Sequence, residues 1–199
     1  MNQSTVFGVG VNDSDYITQK FSGGRKNLKL EWTCPIFTKW KSMLCRCKYK
    51  PYKDNFKTYE DASVADEWLT FSNFKQWIDS FEIEDIQNYE LDKDILVSGN
   101  KLYSKDTCCL VDKVTNRFIL KKTVRKLDLP TGVSPVRKSS KFQARVSNPF
   151  TGKDEYLGCF SLAMDAHKAW KNRKHQLACQ LADLQKDVRV ANALRTRYL

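Results

Sequence analysis

Polar and apolar side chains alternate between residues 141 and 147, in the order Lys-Phe-Gln-Ala-Arg-Val-Ser. This period of two is typical of an antiparallel strand with one packed face and one solvated face. The solvated face would present Gln143, Arg145 and Ser147. Arg and Gln side chains form hydrogen bonds with the edges of DNA bases, whereas Lys and Ser suit phosphates. The alternation therefore predicts a strand whose exposed side chains suit nucleic acid.

Neighbouring residues extend this predicted surface. Residues 148–152 have the composition of a turn, and residues 155–160 return as the next strand, with Tyr156 on the exposed face. Ser161 is expected to cap a helix whose small residues and Trp170 pack against the other face of the sheet. Three further cations are expected at the edge of the sheet: Arg137, Lys138 and Lys141.

A second group with chemical potential is the run Asp92-Lys93-Asp94, which precedes a turn at Gly99-Asn100. Carboxylate oxygens are the ligands that Mg²⁺ prefers. A run of this composition is also an ordinary charged turn, and taken alone it favours the turn. The seven cysteines do not indicate zinc, since Cys45-x-Cys47 and Cys108-Cys109 lack the spacing of zinc knuckles. We expect buried free thiols and no zinc site.

Hydrophobic periodicity predicts the elements that position these groups. Apolar residues at helical spacing indicate a helix over residues 35–47 and another that Ser72 is expected to cap. Residues 48–61 lack a period and are expected to form a loop. Strand, loop and strand are expected over residues 89–111, and short helices over residues 112–119 and 188–198.

Charge is distributed unevenly along the 199 residues. The net charge is +7 for residues 1–53, −9 for residues 54–94 and +13 for residues 95–199. Eight basic side chains and one acid lie within residues 121–145. A positive field of this size attracts polyanions, of which nucleic acid is the commonest. Because no apolar run reaches roughly 18 residues and no signal peptide begins the chain, we expect a cytoplasmic protein with no membrane partner.

Four short motifs follow one another between residues 130 and 180. They are Gly132-Val133, then residues 141–145, then residues 156–160, and finally Asp165-Ala166 through Ala169-Trp170. This ordered set resembles the AP2/ERF DNA-binding domain. The resemblance implies a three-stranded antiparallel sheet packed on a helix over residues 127–182, with the sheet in the major groove of double-stranded DNA.

This chain matches only part of the pattern of DNA-contacting residues in that family. By position, Arg145, Ser147 and Tyr156 fall on base-reading positions. Ser134 and Asp154 stand where the family usually has arginine. The family's base specificity is therefore not transferred to this chain.

A second ordered set of motifs occupies residues 35–120. It runs from Trp40 and Arg46-Cys47 through Asp66-Glu67-Trp68, Leu91 to Asp94, Gly99-Asn100 and Tyr103-Ser104 to Thr115-Asn116-Arg117. This set resembles the HNH-like homing-type endonucleases of phages, in which such a module precedes an AP2-type domain. The resemblance implies a ββα-metal module over residues 35–126 that cleaves DNA phosphodiesters.

The same resemblance assigns roles to individual residues. Asp92 and Asn116 would hold Mg²⁺ or another divalent metal. Lys93 stands where the catalytic histidine is usual, and Asp94 is the substitute base to test. A lysine is ordinarily protonated at neutral pH and then cannot accept a proton. The metal scaffold is therefore retained in the sequence, whereas the usual base is absent.

Together these patterns predict an α+β protein with an N-terminal extension over residues 1–34 and a helical tail over residues 183–199. The favoured function is a phage endonuclease that acts in the cytoplasm of the host cell. A catalytically inactive DNA-binding or regulatory protein is the first alternative. The second is an inhibitor or interaction protein whose acidic segment, residues 54–94, binds a basic host partner.

Overall fold

The computed structural model describes residues 5–24, 27–120 and 128–199. Contacts divide the chain into a front unit, Met1–Leu110, and a back unit, Val111–Leu199. The expected boundary between the two modules, at residues 126 and 127, lies outside the described residues. None of the described helices combines the length and the apolar character that crossing a bilayer requires.

The front unit consists of short strands around a helical core. Its elements are β1 (Gln19–Ser22), β2 (Lys29–Thr33), α1 (Pro35–Lys48), α2 (Lys50–Asn55), β3 (Ser63–Val64), α3 (Phe71–Asp79), β4 (Tyr89–Asp92) and β5 (Leu102–Tyr103). Strands β1 and β2 form an antiparallel hairpin, and β3 pairs with β5 in parallel. Strand β4 pairs with β6 (Cys109–Asp112), whose first two residues belong to this unit.

Aromatic side chains from α1 and α3 form the core of the front unit. Trp40 is fully buried, and its indole N–H donates to the carbonyl oxygen of Trp68 over 2.7 Å. Phe71 packs edge-on against Phe37, with 5.2 Å between the ring centroids. Burial of a large apolar side chain contributes about 1.5–3 kcal/mol. The prediction of α1 and α3 from helical spacing is therefore confirmed, and the apolar side chains that showed this spacing form the core.

Two local expectations for the front unit are wrong. Residues 48–61 are not a loop, since they contain α2 and a 3₁₀ turn at Lys57–Tyr59. The rings of Tyr52 and Phe56 lie 4.6 Å apart in this short segment, which is too brief to show a period. Ser72 does not cap α3, because the helix begins one residue earlier. The backbone N–H of Ser72 instead donates to the carboxylate of Asp13 over 2.9 Å.

Within its described residues, the back unit contains a three-stranded sheet and three helices. Its elements are α4 (Lys113–Ile119), β7 (Val133–Pro135), β8 (Phe142–Ser147), β9 (Asp154–Phe160), α5 (Ala163–Ala182) and α6 (Val188–Thr196). Strand β8 lies between β7 and β9 and is antiparallel to both. Helix α5 packs on the sheet, and α6 packs on α5. The α+β class and the sheet-on-helix arrangement therefore agree with expectation.

Two helices of the back unit differ in how they begin. Asp112 caps α4, because its carboxylate accepts the backbone N–H of Thr115 over 2.8 Å. This is the usual role of an Asp at a helix start. Ser161 does not cap α5. Leu162 occupies the N-cap position of that helix without a side-chain hydrogen bond.

Candidate nucleic-acid interface

Strand β8 separates its side chains into a packed set and a solvated set. Ala144 and Val146 are buried at 0% and 2% exposure. Arg145 and Ser147 point to the other face and are exposed, as the alternation predicts. Gln143 lies on the same face and is half-buried. The central strand thus brings three of the predicted contact residues onto one surface.

A β-bulge aligns Tyr156 with Arg145 across the sheet. Ala144 pairs with Gly158, but the next residue, Arg145, pairs with Tyr156, so Leu157 is extra on β9. Gly158 has φ of 123°, a backbone conformation that essentially only glycine adopts. The guanidinium carbon of Arg145 lies 5.4 Å from the centroid of the Tyr156 ring, and Tyr156 is 55% exposed. The bulge therefore places a cation and an aromatic ring side by side in solvent.

The opposite face of the sheet is sealed by α5. Val133, Ala144 and Ala166 form a small core, against which Trp170 packs. A Cβ built on Gly132 would lie 2.0 Å from Trp170, so this close approach requires glycine. The predicted stripe of small residues on α5 is confirmed. Since this helix covers one face, the other face carries the polar set.

An ion pair fastens β9 to α5. Arg173 donates from Nε to Glu155 over 2.6 Å and from a terminal nitrogen over 3.0 Å. Asn148 donates to the same carboxylate over 2.6 Å. The hydrogen bonds from Arg173, followed by that from Asn148, lower the pKa of Glu155 to about 2. These contacts hold the strand that carries Tyr156 in its register.

The three predicted edge cations lie at the turn between β7 and β8. Arg137, Lys138 and Lys141 are all exposed. The backbone N–H of Val136 donates to the carbonyl of Lys141 over 2.9 Å and closes the turn. Lys138 adopts a left-handed backbone conformation with φ of 58°. The turn therefore presents cations at one end of the polar face.

The other end of the polar face is acidic. Asp154 pairs with Ser147 across β8 and β9, and the Ser147 hydroxyl donates to its carboxylate over 2.5 Å. A carboxylate at this place repels phosphate, whereas the turn at the opposite end attracts it. The polar face therefore has a charge gradient along β8.

The alternation in the sequence did not predict one exposed side chain on this surface. Cys159 is exposed and pairs with Gln143 across the two strands. Counting by twos from Tyr156 places Gly158 outward and Cys159 inward. The bulge reverses that alternation. Only the glycine at position 158 hints at the irregularity in the sequence.

The predicted catalytic residues Asp92, Lys93 and Asp94 lie in the front unit, in a turn that their own hydrogen bonds hold together. Lys93 is 5% exposed, and its ammonium donates to both carboxylate oxygens of Asp94, over 2.8 and 2.9 Å, and to the carbonyl of Asn100 over 2.7 Å. The Asn100 amide donates back to the carbonyl of Lys93 over 2.9 Å. One carboxylate oxygen of Asp92 accepts the backbone N–H groups of Asp94 and Ile95. The three predicted residues are thus together, with Lys93 held by partners.

Asn116, the other predicted metal ligand, lies on α4 of the back unit. Its side-chain oxygen is buried and has no hydrogen-bond partner among the described residues. A buried amide oxygen without a partner is costly, which makes it a fitting acceptor for an added cation. Within the described residues, no group of three or more His, Cys, Asp or Glu side chains is arranged to hold a metal.

The cysteines are free thiols, and four of them are buried: Cys34, Cys47, Cys108 and Cys109. Burial raises the pKa of Cys47 to about 11 and that of Cys108 to about 12. These two groups are therefore protonated at neutral pH, and a thiol in that state is a poor metal ligand.

Comparisons with known proteins give one partial likeness. No known protein family and no solved structure matches the chain. A stretch of 54 residues is 39% identical to an ethylene-responsive transcription factor of Arabidopsis thaliana. The match covers 27% of this chain and 18% of the transcription factor.

Proposed function

We propose that this chain binds double-stranded DNA through the exposed face of β7, β8 and β9, in the manner of an AP2/ERF domain. The observation that carries the proposal is the Arg145–Tyr156 pair, which the bulge holds in solvent on a sheet sealed behind by α5. The 54-residue match to a transcription factor supports it, since its length is close to that of the predicted segment 127–182.

The dimensions of the sheet suit the major groove. Neighbouring strands lie about 4.8 Å apart, so three strands span about 10 Å between the outer two. The major groove of B-DNA is about 12 Å wide. Arg145 would then reach a guanine edge, and Gln143 an adenine edge. The cations of the β7–β8 turn would contact phosphates and set the orientation.

Duplex binding measured by fluorescence anisotropy tests this proposal. Arg145→Ala should weaken binding to a preferred duplex by about 1–3 kcal/mol, because it removes the base-reading guanidinium. Lys168→Ala, which removes a 73% exposed cation from α5, is the control and should bind as the unmodified protein does. Equal binding by both variants would overturn the proposal.

As a second candidate, we propose that the segment from β4 to α4 is a metal-dependent DNA endonuclease module of the HNH-like type. The buried, unpartnered oxygen of Asn116 supports it, as does the pairing of β4 with β6, which α4 follows directly in the chain. By the resemblance in sequence, the ligands of Mg²⁺ would be Asp92 and Asn116, and such a metal polarises the scissile phosphate. Asp92 would contribute a carboxylate oxygen and Asn116 an amide oxygen.

Lys93 favours the inactive alternative over an active enzyme. Its ammonium has three donors, and Asp94 and Asn100 accept three hydrogen bonds from it. An ammonium held in this way cannot accept a proton from water, and Asp94 is engaged as its counter-ion. Metal ligands at the predicted positions, with neither Lys93 nor Asp94 available as a base, would fit a DNA-binding protein with a degenerate module.

A plasmid nicking assay separates the two candidates. Nicking with Mg²⁺ or Mn²⁺ that is lost in Asp92→Ala and in Asn116→Ala would establish the enzyme. Tight duplex binding without nicking by either metal would establish the inactive DNA-binding protein. Lys113→Ala, at the exposed start of α4, serves as the control for Asn116→Ala.

A further inference from the structure

A cleft of about 400 Å³ opens in the front unit between α1, the end of β2 and the start of β4. This volume lies within the range of about 300–1,000 Å³ that is usual for small-molecule sites. Its wall includes Trp32, Lys39, Arg46 and Glu90. An aromatic ring, two cations and one carboxylate around a cavity are groups that recognise an aromatic anion.

Helix α1 supplies the polar floor of this cleft. Thr38, Ser42 and Arg46 follow one another at intervals of four residues and therefore share one face of the helix. The opposite face of α1 is buried in the core through Trp40 and Leu44. Packing on that side fixes the direction in which the hydroxyls and the guanidinium point.

Arg46 has more N–H donors than the one hydrogen bond to Tyr103 uses. A guanidinium carries five N–H donors in a fixed planar fork. Among the described residues, its hydrogen bonding is limited to the Tyr103 hydroxyl, over 3.4 Å, and its guanidinium carbon lies 5.5 Å from the Tyr59 ring. The remaining donors suit an anion with oxygen atoms in a plane or tetrahedron, such as a phosphate.

Trp32 supplies a flat apolar surface at the mouth of the cleft. It is 43% exposed and is therefore accessible to a ligand. The ammonium of Lys20 lies 5.7 Å from the centre of its ring. Aromatic side chains in such positions stack nucleic-acid bases, because every base has a π-face.

We propose that this cleft binds one nucleotide, with its base stacked on Trp32 and its phosphate held by Arg46 and the cation of Lys39. Glu90 lies on β4 in the wall of the cleft and would accept a hydrogen bond from an N–H group of the base, which thymine offers at N3. The Lys39 ammonium also donates to the carbonyl of Tyr89, so Arg46 would be the main contact of a single phosphate, as in a monophosphate or a single unit of a DNA strand. This site is separate from the sheet and does not depend on duplex binding.

The test uses the full chain with Arg145→Ala and Tyr156→Ala, so that the sheet no longer contributes. A fluorescein-labelled oligothymidylate of about 10 nucleotides should bind this variant saturably. Adding Trp32→Ala should weaken binding about tenfold, because one stacking contact is lost. The matched control is Phe21→Ala, which removes an aromatic side chain of the same hairpin that is 51% exposed and does not line the cleft.

Thymidine monophosphate as competitor distinguishes the two sources of this ligand. Displacement that Trp32→Ala weakens would assign a free nucleotide to the cleft, whereas a Trp32-dependent signal from the oligonucleotide alone would assign a strand. Arg46→Lys, which keeps the charge but not the fork, should weaken the binding of either ligand severalfold. Binding of neither ligand, or equal binding with and without Trp32, would overturn the proposal. Absence of duplex binding by the unmodified protein, with oligothymidylate binding retained at the cleft, would overturn only the function proposed for the sheet.

Discussion

At the residue scale, the ion pair of Lys93 and Asp94 joins a buried cation to a carboxylate that is half in solvent. The side chain of Lys93 is 6% exposed and that of Asp94 is 50% exposed. Removal of either partner has a different consequence, because an uncompensated charge is costly only where water cannot reach it. The pair therefore stabilises the turn that follows Asp92.

The two partners should differ in their effect on stability. Asp94→Ala leaves the Lys93 ammonium buried with fewer acceptors and should lower the free energy of unfolding by about 2 kcal/mol. Lys93→Met leaves an exposed carboxylate and an apolar side chain in a buried place, so its cost should be below about 1 kcal/mol. Urea unfolding of both variants measures the difference. A larger loss for Lys93→Met than for Asp94→Ala would contradict this account of the turn.

At the element scale, the bulge between β8 and β9 decides which side chains share the exposed face. The alternation of residues 141–147 was sufficient to predict that Arg145 and Ser147 face solvent, because each strand has a period of two. Cys159 could not be placed in this way, since the extra Leu157 depends on pairing with a neighbouring strand. The contact between Ser72 and Asp13 was out of reach for a similar reason, because it joins residues far apart in the sequence.

The Glu155–Arg173 pair between β9 and α5 predicts a pH dependence. A carboxyl whose pKa falls from 4.5 to about 2 on folding stabilises the protein above pH 4.5, and this contribution is lost as the pH falls toward 2. The side chain of Glu155 is 29% exposed, so solvent screening limits the effect to about 1 kcal/mol.

Comparison with Glu155→Gln isolates that contribution. The unmodified protein should exceed the variant in unfolding free energy at pH 5, and the excess should decline steadily toward pH 2. The control is Asp165→Asn, which removes the exposed pair with Lys168 on α5, the helix that carries Arg173. It should change the unfolding free energy little over this pH range. A difference for Glu155→Gln that stays constant with pH would be inconsistent with the lowered pKa.

At the scale of the whole molecule, an acidic middle segment lies between two basic end segments of the chain. The acidic segment 54–94 contributes Trp68, Phe71 and Phe74 to the core of the front unit, so it is a folded part of that unit. Its binding to a basic host partner stays a prediction. The excess of positive charge over residues 95–199 should make duplex binding strongly dependent on salt.

The salt dependence should report the contribution of the β7–β8 turn. Each lysine or arginine that contacts a phosphate adds about 0.9 to the slope of log binding constant against log salt concentration. Replacing Arg137, Lys138 and Lys141 together by alanine should therefore reduce the slope by about 3. The variant Lys168→Ala should leave it unchanged. An unaltered slope in the triple variant would place the phosphate contacts elsewhere.

Protection of Cys159 by DNA tests the central claim most directly. Its thiol is exposed on the proposed face and pairs across the sheet with Gln143, while the half-buried Cys179 on α5 is an internal control. With saturating duplex, alkylation of Cys159 followed by mass spectrometry should slow severalfold, and alkylation of Cys179 should keep its rate. Equal rates for Cys159 with and without bound duplex would show that DNA does not lie on this sheet.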